Sequence, residues 1–274
     1  MTRLLVVAGT ADAAQFIAMQ PPQTEILATT FSQLGVDCIA PRLGLKLLAG
    51  ALEAEGFRQL LAQQQPDFLV DLSHPFAVEV SQNAKAAAQD CGVPYLRYER
   101  QSAADCEFGE GESMAELRHF PDFAVAAEAC REISGNILLT IGSKNLRYFC
   151  DLPDFHQRFY VRVLAESRIL QELETLRIDP GHIFAMKGVA SVELNIALAR
   201  QCQAAALVSK DSGPTGGLLE KIQAAAALHI PLLLIDRPKS EGAQNSAADK
   251  QHKQSEQIFS SLTELNKVIN KASE

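Results

Sequence analysis

Short, continuous apolar runs alternate with helix-like segments along most of this chain, and this alternation restricts the fold more than any other feature of the sequence. The runs are typical of buried strands, and they lie at residues 4–8, 25–30, 67–72, 137–141, 159–164, 182–187, 205–210 and 231–236. Residues 51–64 and 77–90, by contrast, are helix-like in composition and spacing. Continuous apolar strands joined by helices form parallel sheets that are covered on both faces. The sequence therefore predicts an α/β fold.

A polar stretch at residues 101–113 interrupts this alternation, which then restarts. The interruption predicts two Rossmann-like domains with mainly parallel sheets: residues 1–115, which carry a nucleotide cofactor, and residues 116–238. Residues 239–274 are predicted to begin as a polar linker and to end in an amphipathic helix, with apolar residues at 258, 259, 262, 265, 268 and 269. We expect this helix to pack on the body of the protein, because a helix on a membrane surface is usually basic.

The charge balance limits the ligands that the whole molecule can attract. The chain has 274 residues and a formal net charge of -8, which argues against a general nucleic-acid binder, since such a protein needs a basic face. An anionic substrate must then be held by a local cluster of Arg and Lys. No run approaches the roughly 18 apolar residues of a membrane span. The six cysteines form no CxxC pair, so we expect reduced thiols in a cytoplasmic protein and no metal site.

The first apolar run ends in a turn that suits a nucleotide. Ligands of open α/β sheets bind beyond the carboxyl ends of the strands, and Gly9-Thr10 follows the first run directly. Gly9 permits close approach of the backbone, and the free N–H groups at the start of the next helix attract phosphate. A purely steric need for glycine at the turn is the alternative.

The end of the second run bears on which nicotinamide nucleotide binds. Enzymes that prefer NAD usually carry an acid here to hold the ribose hydroxyls, whereas this chain has Thr29-Thr30, with Arg42 a short way on. Hydroxyls tolerate a 2′-phosphate that a carboxylate would repel, and Arg42 could pair with that phosphate. NADPH is therefore favoured, and NADH is possible. The alternative is that both threonines are simply good strand residues.

Ser73-His74 follows the third run and lies at a predicted carboxyl end. An imidazole at this place suits hydrogen bonding or proton donation near neutral pH. The alternative is a local turn in which Ser73 caps the next helix.

Two loops in the second half of the chain have the composition of anion-binding loops. Gly142-Ser143-Lys144 follows the run at 137–141, and the alternative there is an ordinary helix cap with a solvated lysine. The segment DSGPTGG at 211–217, with Lys221 after it, is rich in glycine and hydrogen-bond donors, and we interpret it as a binding loop. It is not a P-loop, because GxxxxGK[ST] is absent. HExxH and GxSxG are absent too, so metal-dependent hydrolysis and acyl transfer are not supported.

In their order and spacing, these segments resemble the precorrin-6A reductase family of cobalamin biosynthesis. The resemblance runs along nearly all of residues 3–238 and rests on AGTADA at 8–13, DLSHPFA at 71–77, VPYLRYER at 93–100, TIGSKNL at 140–146 and KDSGPTGG at 210–217. It implies two Rossmann-like domains with the active site in a cleft between them. It also implies an oxidoreductase that transfers a hydride from a reduced nicotinamide to a ring double bond of precorrin-6A or cobalt-precorrin-6A, giving the 6B form.

The resemblance, taken with the strand ends above, implies roles for individual residues. His74, Lys144 or a water molecule would deliver the proton that accompanies the hydride. The expected cofactor ligands are Gly9, Thr10, Asp12, Thr29, Thr30, Arg42, Ser73 and His74. The substrate is a macrocycle edged with carboxylates, which basic side chains bind through charge-assisted hydrogen bonds. Its expected ligands are Arg97, Arg100, Ser143, Lys144, Arg162, Lys210, Asp211, Ser212, Gly213, Gly216 and Gly217.

The chain departs from the family pattern at two places. The family usually opens with GGTxEA, where this chain has Ala8 and Asp12, and a QGPF-like turn is replaced by MKGV at 186–189. Two alternatives therefore stay open: a non-catalytic nucleotide-binding or regulatory protein on the same fold, and an NADPH reductase of another anionic substrate, such as a nucleotide sugar. The 210–217 loop and the basic strand ends argue against a pure cofactor sensor.

Overall fold

The computed structural model describes residues 1–100, 102, 116–238 and 257–272, and the chain divides into two compact units. The N-terminal unit comprises residues 1–101 together with 239–274, and the central unit comprises residues 102–238. The units part after residue 101 rather than at the predicted residue 115, and residues 103–115 lie outside the described part of the chain.

A six-stranded parallel sheet forms the middle layer of the N-terminal unit. Numbered along the whole chain, its strands are β1 (Arg3–Val7), β2 (Glu25–Thr30), β3 (Leu45–Ala49), β4 (Phe68–Asp71), β5 (Tyr95–Tyr98) and β12 (Gln257–Phe259). Their order across the sheet is β12-β5-β4-β1-β2-β3, so the direction of winding reverses between β1 and β4. In open parallel sheets such a reversal is the place where ligands bind.

Helices cover both faces of this sheet. They are α1 (Ala11–Met19), α2 (Gln33–Val36), α3 (Ala54–Gln64), α4 (Val78–Cys91) and α11 (Leu262–Lys271). Leu4 and Val6 of β1 belong to the core that includes residues of α1 and α11, whereas Leu5 and Val7 belong to the core that includes residues of α3 and α4. Burial on both faces explains why the run at 4–8 is apolar throughout.

The C-terminal helix α11 packs on the N-terminal unit through its apolar face. Leu265 and Ile269 are buried in the same core as Phe16 of α1. Beside this contact, Gln20 Nε2 donates a hydrogen bond to Asn266 Oδ1 at 3.0 Å. The prediction that this helix packs on the body of the protein is confirmed.

A second six-stranded parallel sheet forms the middle of the central unit. Its strands are β6 (Leu117–Phe120), β7 (Asn136–Leu139), β8 (Phe159–Val163), β9 (Ile183–Ala185), β10 (Ala204–Lys210) and β11 (Leu232–Ile235). The order is β6-β11-β10-β7-β8-β9, which reverses between β7 and β10. The flanking helices are α5 (Phe123–Ala129), α6 (Arg147–Cys150), α7 (Phe155–Arg158), α8 (Ser167–Thr175), α9 (Val192–Gln201) and α10 (Leu218–Leu228).

The core of the central unit places α10 against the sheet. Leu218, Ile222 and Ala225 of this helix pack in one buried cluster with Leu207 of β10 and Leu232 of β11. The predicted fold class, an α/β protein with two parallel sheets, is confirmed. In the described part of the chain, no helix is long and apolar enough to cross a membrane.

Candidate functional site

The turn after β1 is tied to the end of β4, at the reversal of the N-terminal sheet. Thr10 caps α1 by accepting a hydrogen bond from the Ala13 N–H at 3.2 Å, and its own hydroxyl donates to the Leu72 carbonyl at 2.9 Å. Gly9 has φ +140°, and no atom lies within 4 Å of the position that a Cβ would take there. A ligand can therefore approach this backbone closely, next to the N-terminal end of α1.

Asp12 does not face this open space. Its side chain is 4% exposed, and its Oδ2 lies 2.6 Å from Arg100 Nη2 in a buried ion pair. Burial, followed by the negative charge of Asp12, raises the pKa of the nearby Tyr98 hydroxyl. Asp12 and Arg100, predicted as cofactor and substrate ligands, thus pair with each other and hold the start of α1 to the segment after β5.

A second buried network lies beneath the loop that carries His74. Asp71 is fully buried, with Oδ2 at 2.7 Å from Arg97 Nη1 and from the Tyr95 hydroxyl, which donates to it. Its Oδ1 accepts the Ser73 N–H at 2.8 Å, and Arg97 also donates to Ser73 Oγ at 2.8 Å. Burial is the largest influence on Arg97 and opposes its charge, but Asp71, Tyr95 and Glu99 together outweigh burial, and the pKa of the guanidinium is raised. Arg97 and Ser73 therefore support the loop from below.

His74 is half-buried at the carboxyl edge of the N-terminal sheet, where the sequence analysis placed it. Its Nδ1 accepts a hydrogen bond from the Phe76 N–H at 3.2 Å. Accepting this bond requires Nδ1 to be unprotonated, so the proton of the neutral ring lies on Nε2. The loop thus presents His74 as a donor through Nε2.

The residues predicted to select the nucleotide are not gathered at one place. Thr29 and Thr30 are buried, and their hydroxyls donate to the carbonyls of Val6 at 3.4 Å and Ser32 at 2.9 Å. Arg42 donates to carbonyl groups at the C-terminal end of α1, those of residues 17, 20 and 21. That end of α1 lies at the amino edge of the sheet, because the helix runs back from the carboxyl edge. The Arg42 guanidinium is therefore held at the opposite edge of the sheet from Gly9.

The glycine-rich loop after β10 is built around Asp211. Its Oδ1 accepts the Gly213 N–H at 3.2 Å, and its Oδ2 accepts the Ser102 hydroxyl at 2.6 Å and lies 3.2 Å from Arg237 Nε. The Ser212 hydroxyl donates to the Gly216 carbonyl at 3.0 Å. Asp211 and Ser212, both predicted as substrate ligands, thus hold the loop in shape.

Glycine is required at two positions that shape the carboxyl edge of the central sheet. Gly217 has φ +75° where α10 begins, and Gly142 has φ +77° after β7, with open space where a Cβ would be. Ser143 and Lys144 follow in a short 3-10 turn, half-buried and exposed respectively. The turn after β7 thus repeats the open backbone that Gly9 provides after β1.

Basic side chains gather beside this loop in the central unit. Burial lowers the pKa of Arg162, which donates to Asn195 Oδ1 at 2.9 Å. Burial, followed by the charge of Lys144, lowers the pKa of Lys210 to about 8. Burial, followed by the charges of Arg162 and Lys210, lowers the pKa of Lys221 to about 7. Buried basic side chains thus lie near the carboxyl edge of the central sheet.

Lys221 was not among the predicted site residues, although the sequence contains a signal for it. It lies on the stripe of α10 that also carries Leu218, Ile222 and Ala225, all of them buried in the core. A lysine inside an apolar helical stripe is rarely fully buried without a role. Among the described residues, no group of His, Cys, Asp and Glu has the arrangement of a metal site.

Comparisons with known proteins agree on one family. The family model described as "Precorrin-6x reductase CbiJ/CobK" matches residues 3–266. A cobalt-precorrin-6A reductase of Methanothermobacter thermautotrophicus is 32% identical over 247 residues, covering 86% of this chain and 76% of that protein. One from Priestia megaterium is also 32% identical and covers 87% of this chain and 91% of that protein.

Two further similarities bear on the substrate form and on the fold. A precorrin-6A reductase of Rhodococcus erythropolis is 30% identical, over 91% of this chain and 94% of that protein. A solved structure described as "CobK precorrin-6A reductase" superimposes with a TM-score of 0.73 at 23% identity, covering 99% of this chain and 97% of that one. At that identity, the superposition supports the fold alone.

Proposed function

The chain belongs to the precorrin-6x reductase CbiJ/CobK family, and on this premise we propose that it reduces a ring double bond of precorrin-6A or cobalt-precorrin-6A to the 6B form. It is an oxidoreductase of cobalamin biosynthesis that uses a nicotinamide cofactor, and that cofactor supplies the hydride when it is bound. The observation that carries the proposal is the family match, which spans residues 3–266 and so includes both sheets.

The cofactor in this proposal is NADPH, bound at the carboxyl edge of the N-terminal sheet. The turn at Gly9 and Thr10 supports a phosphate contact, because it combines open backbone with the N–H groups of α1. The residues at the end of β2, Thr29 and Thr30, include no carboxylate that would repel a 2′-phosphate. NADH is the other outcome of the test below.

In this proposal the substrate is held through its peripheral carboxylates. Lys144, Arg162 and Lys210 of the central unit supply the positive charge beside the glycine loop at 213–217. These groups bind and orient the macrocycle, which is the main contribution that a protein makes to hydride transfer between two bound rings.

The ring carbon next to the one that receives the hydride must gain a proton. We assign this proton to His74 Nε2, because the hydrogen bond at Nδ1 holds the donor tautomer, with Lys144 as the second candidate. A cytoplasmic location is also part of the proposal, since the described cysteines are free thiols and the cytosol keeps thiols reduced.

A direct assay tests the proposal. Purified protein is mixed with precorrin-6A or cobalt-precorrin-6A and with NADPH or NADH, and both nicotinamide oxidation and the pigment spectrum are followed. We expect simultaneous changes in both signals, faster with NADPH. If the protein binds the nucleotide but neither signal changes with any combination, the reductase proposal is wrong and the non-catalytic alternative is favoured.

A further inference from the structure

Asn195 is a buried asparagine near the start of α9, and both ends of its side-chain amide form hydrogen bonds. Its Oδ1 accepts a hydrogen bond from Arg162 Nη1 at 2.9 Å. Its Nδ2 donates to the carbonyl oxygens of Ala190 at 3.0 Å and of Ser191 at 2.9 Å. The residue is only 2% exposed. A buried amide that is satisfied at both ends holds its neighbours in one arrangement.

The partners determine which way this amide points. A guanidinium can only donate and a carbonyl group can only accept, so the oxygen of Asn195 must face Arg162 and its nitrogen must face the turn at 190–191. An aspartate has nearly the same shape, but it would place a second carboxylate oxygen against two carbonyl oxygens. The position therefore suits an amide and not a carboxylate.

Asn195 links a strand end to the turn after the neighbouring strand. Arg162 precedes the last residue of β8, and the turn at 186–191 follows β9. This turn in turn packs on the glycine loop, since a Cβ on Gly217 would lie 2.5 Å from Val189 Cγ1. The amide thus holds Arg162 to a segment that contacts the start of α10.

Arg162 differs from other arginines at the carboxyl edges in the kind of group that holds it. Arg97, Arg100 and Arg237 each lie within hydrogen-bond distance of an aspartate, at 2.7, 2.6 and 3.2 Å. In the described part of the chain Arg162 has no carboxylate partner, and its one hydrogen bond there goes to the Asn195 amide. An amide carries no charge, so it orients the guanidinium without neutralising it. The N–H groups that remain on this half-buried residue can pair with an anion.

We propose that Asn195 is a positioning residue, which orients Arg162 toward a carboxylate of the substrate and leaves the charge of the arginine available to that carboxylate. This rests on the proposed function, which makes the substrate a macrocycle edged with carboxylates and makes Arg162 one of its ligands. Because Asn195 acts through Arg162 and does not touch the substrate, its replacement should change the affinity for the substrate and not the affinity for the nucleotide.

Binding of precorrin-6A to the full chain, measured by ultrafiltration and pigment absorbance without nucleotide, tests this role. Asn195→Ala should raise the dissociation constant about fivefold, because binding must then immobilise an arginine that is no longer held. Asn195→Asp should raise it about 30-fold, because the new carboxylate pairs with Arg162 and competes with the substrate. The dissociation constant of NADPH should change less than threefold in both variants.

A double-variant cycle separates positioning from general structural support. Arg162→Met should weaken precorrin-6A binding at least as much as Asn195→Ala does. In the Arg162→Met chain, Asn195→Ala should cause no further loss, because the guanidinium that it orients is gone. Additive losses would show that Asn195 supports the fold in general and would overturn the proposal.

Asn136 provides the matched control. It lies at the start of β7, at the amino edge of the same sheet, and its Nδ2 donates to the Cys202 carbonyl at 2.7 Å. Asn136→Ala and Asn136→Asp therefore remove a structural asparagine, or add a negative charge, in the same unit, and precorrin-6A binding should stay unchanged. Equal weakening by Asn136→Asp and Asn195→Asp would contradict a role through Arg162.

Turnover with NADPH separates this inference from the proposed function. If precorrin-6A is reduced while Asn195→Ala and Asn195→Asp bind it as the wild-type chain does, the inference is wrong and the proposed function stands. Binding that depends on Asn195, without reduction, would keep the positioning role and remove the reductase. No binding of precorrin-6A by the wild-type chain would overturn both. Asn195→Ser makes a smaller change and replaces Asn195→Ala in the cycle if the alanine variant does not fold.

Discussion

The two sheets share one plan at their carboxyl edges and differ in how charge is balanced there. In each, an aspartate at or directly after the carboxyl end of a strand at the reversal accepts the N–H group two residues on. This aspartate pairs with an arginine near the carboxyl end of the neighbouring strand: Asp71 with Arg97, and Asp211 with Arg237. In the N-terminal unit, the other buried cation, Arg100, also has its own carboxylate, Asp12.

The central unit carries further buried basic side chains besides Arg237. Lys210, Lys221 and Arg162 lie together beside the glycine loop, and the pKa of each is lowered by burial. An edge of buried ion pairs with open backbone suits a ligand that is bound by N–H groups, whereas an edge with further buried basic side chains suits a ligand that brings its own anions. The same strand order therefore supports two different kinds of recognition.

The largest expected effect comes from breaking the more deeply buried aspartate–arginine pair. Asp71→Ala removes the shorter of the two ion pairs of Arg97, whose side chain is 6% exposed, and leaves it only the longer contact with Glu99 Oε1 at 3.4 Å. We expect the free energy of unfolding to fall by about 3–5 kcal/mol, as measured by urea denaturation. Asp211→Ala should cost less, since the Arg237 side chain is 17% exposed and can be solvated.

The double variant Asp71→Ala/Arg97→Met is the control for this comparison. It removes the unpaired charge together with its partner and should recover part of the loss. Equal destabilisation by Asp71→Ala and Asp211→Ala would contradict this expectation. It would show that the difference in burial between the two pairs does not change their contribution to stability.

The second effect separates the two candidates for the proton. His74→Gln should slow hydride transfer in single turnover about 100-fold, with nucleotide affinity changed less than threefold, because general acid catalysis contributes on this scale. Lys144→Gln should affect substrate affinity more than the transfer step. The reverse pattern would move the proton donor to the central unit, and an unchanged rate in both variants would exclude both side chains.

The third effect concerns the burial of Lys221 and is measured through stability. Below pH 7, Lys221 is charged in both the folded and the unfolded chain, so its burial carries the full penalty. Lys221→Met should then raise the free energy of unfolding by about 1–4 kcal/mol. Between pH 7 and the ordinary lysine value of 10.5, the unfolded wild-type chain binds more protons than the folded chain, so wild-type stability rises and the advantage of the variant is lost.

Urea denaturation at pH 6 and at pH 9 measures this change. Lys46→Met, which alters an exposed lysine, should be neutral at both pH values. An advantage of Lys221→Met that is the same at pH 6 and pH 9 would show that Lys221 does not titrate in this window.

The strands at the two reversals could be predicted from sequence, because they are buried on both faces and so read as continuous apolar runs. β3 and β12 could not. β3 is an edge strand, with Lys46, Leu48 and Ala49 exposed, and lacks a continuous buried run. β12 is only three residues long, Gln257–Phe259, and exists because it pairs with β5. Edge strands of this kind are determined by pairing between distant segments.

The ends of the strands were predicted better than the roles of their side chains. The loops that contain Gly9 and His74, and the loop after Lys210, lie at the carboxyl edges of the sheets. The sequence predicted this because each of these loops follows an apolar run. Sequence alone could not show that Arg97 pairs with Asp71 and that Arg100 pairs with Asp12. Which carboxylate meets which cation depends on the order of the strands across the sheet.

The smallest expected effect concerns the neutral edge, where recognition depends on backbone. Gly9→Ala should weaken NADPH binding about tenfold, because a residue at φ +140° is strained and its Cβ enters the open space that we assign to the ligand. Gly50→Ala is a matched control, since Gly50 has φ +139° at the end of β3 and no atom within 4 Å of its Cβ position. Both variants introduce similar backbone strain, so thermal unfolding should show a similar loss of stability for each. Only Gly9→Ala should change the dissociation constant of the nucleotide. Equal weakening of NADPH binding by both variants would assign the effect to backbone strain. The open backbone at Gly9 would then have no special role in binding the nucleotide.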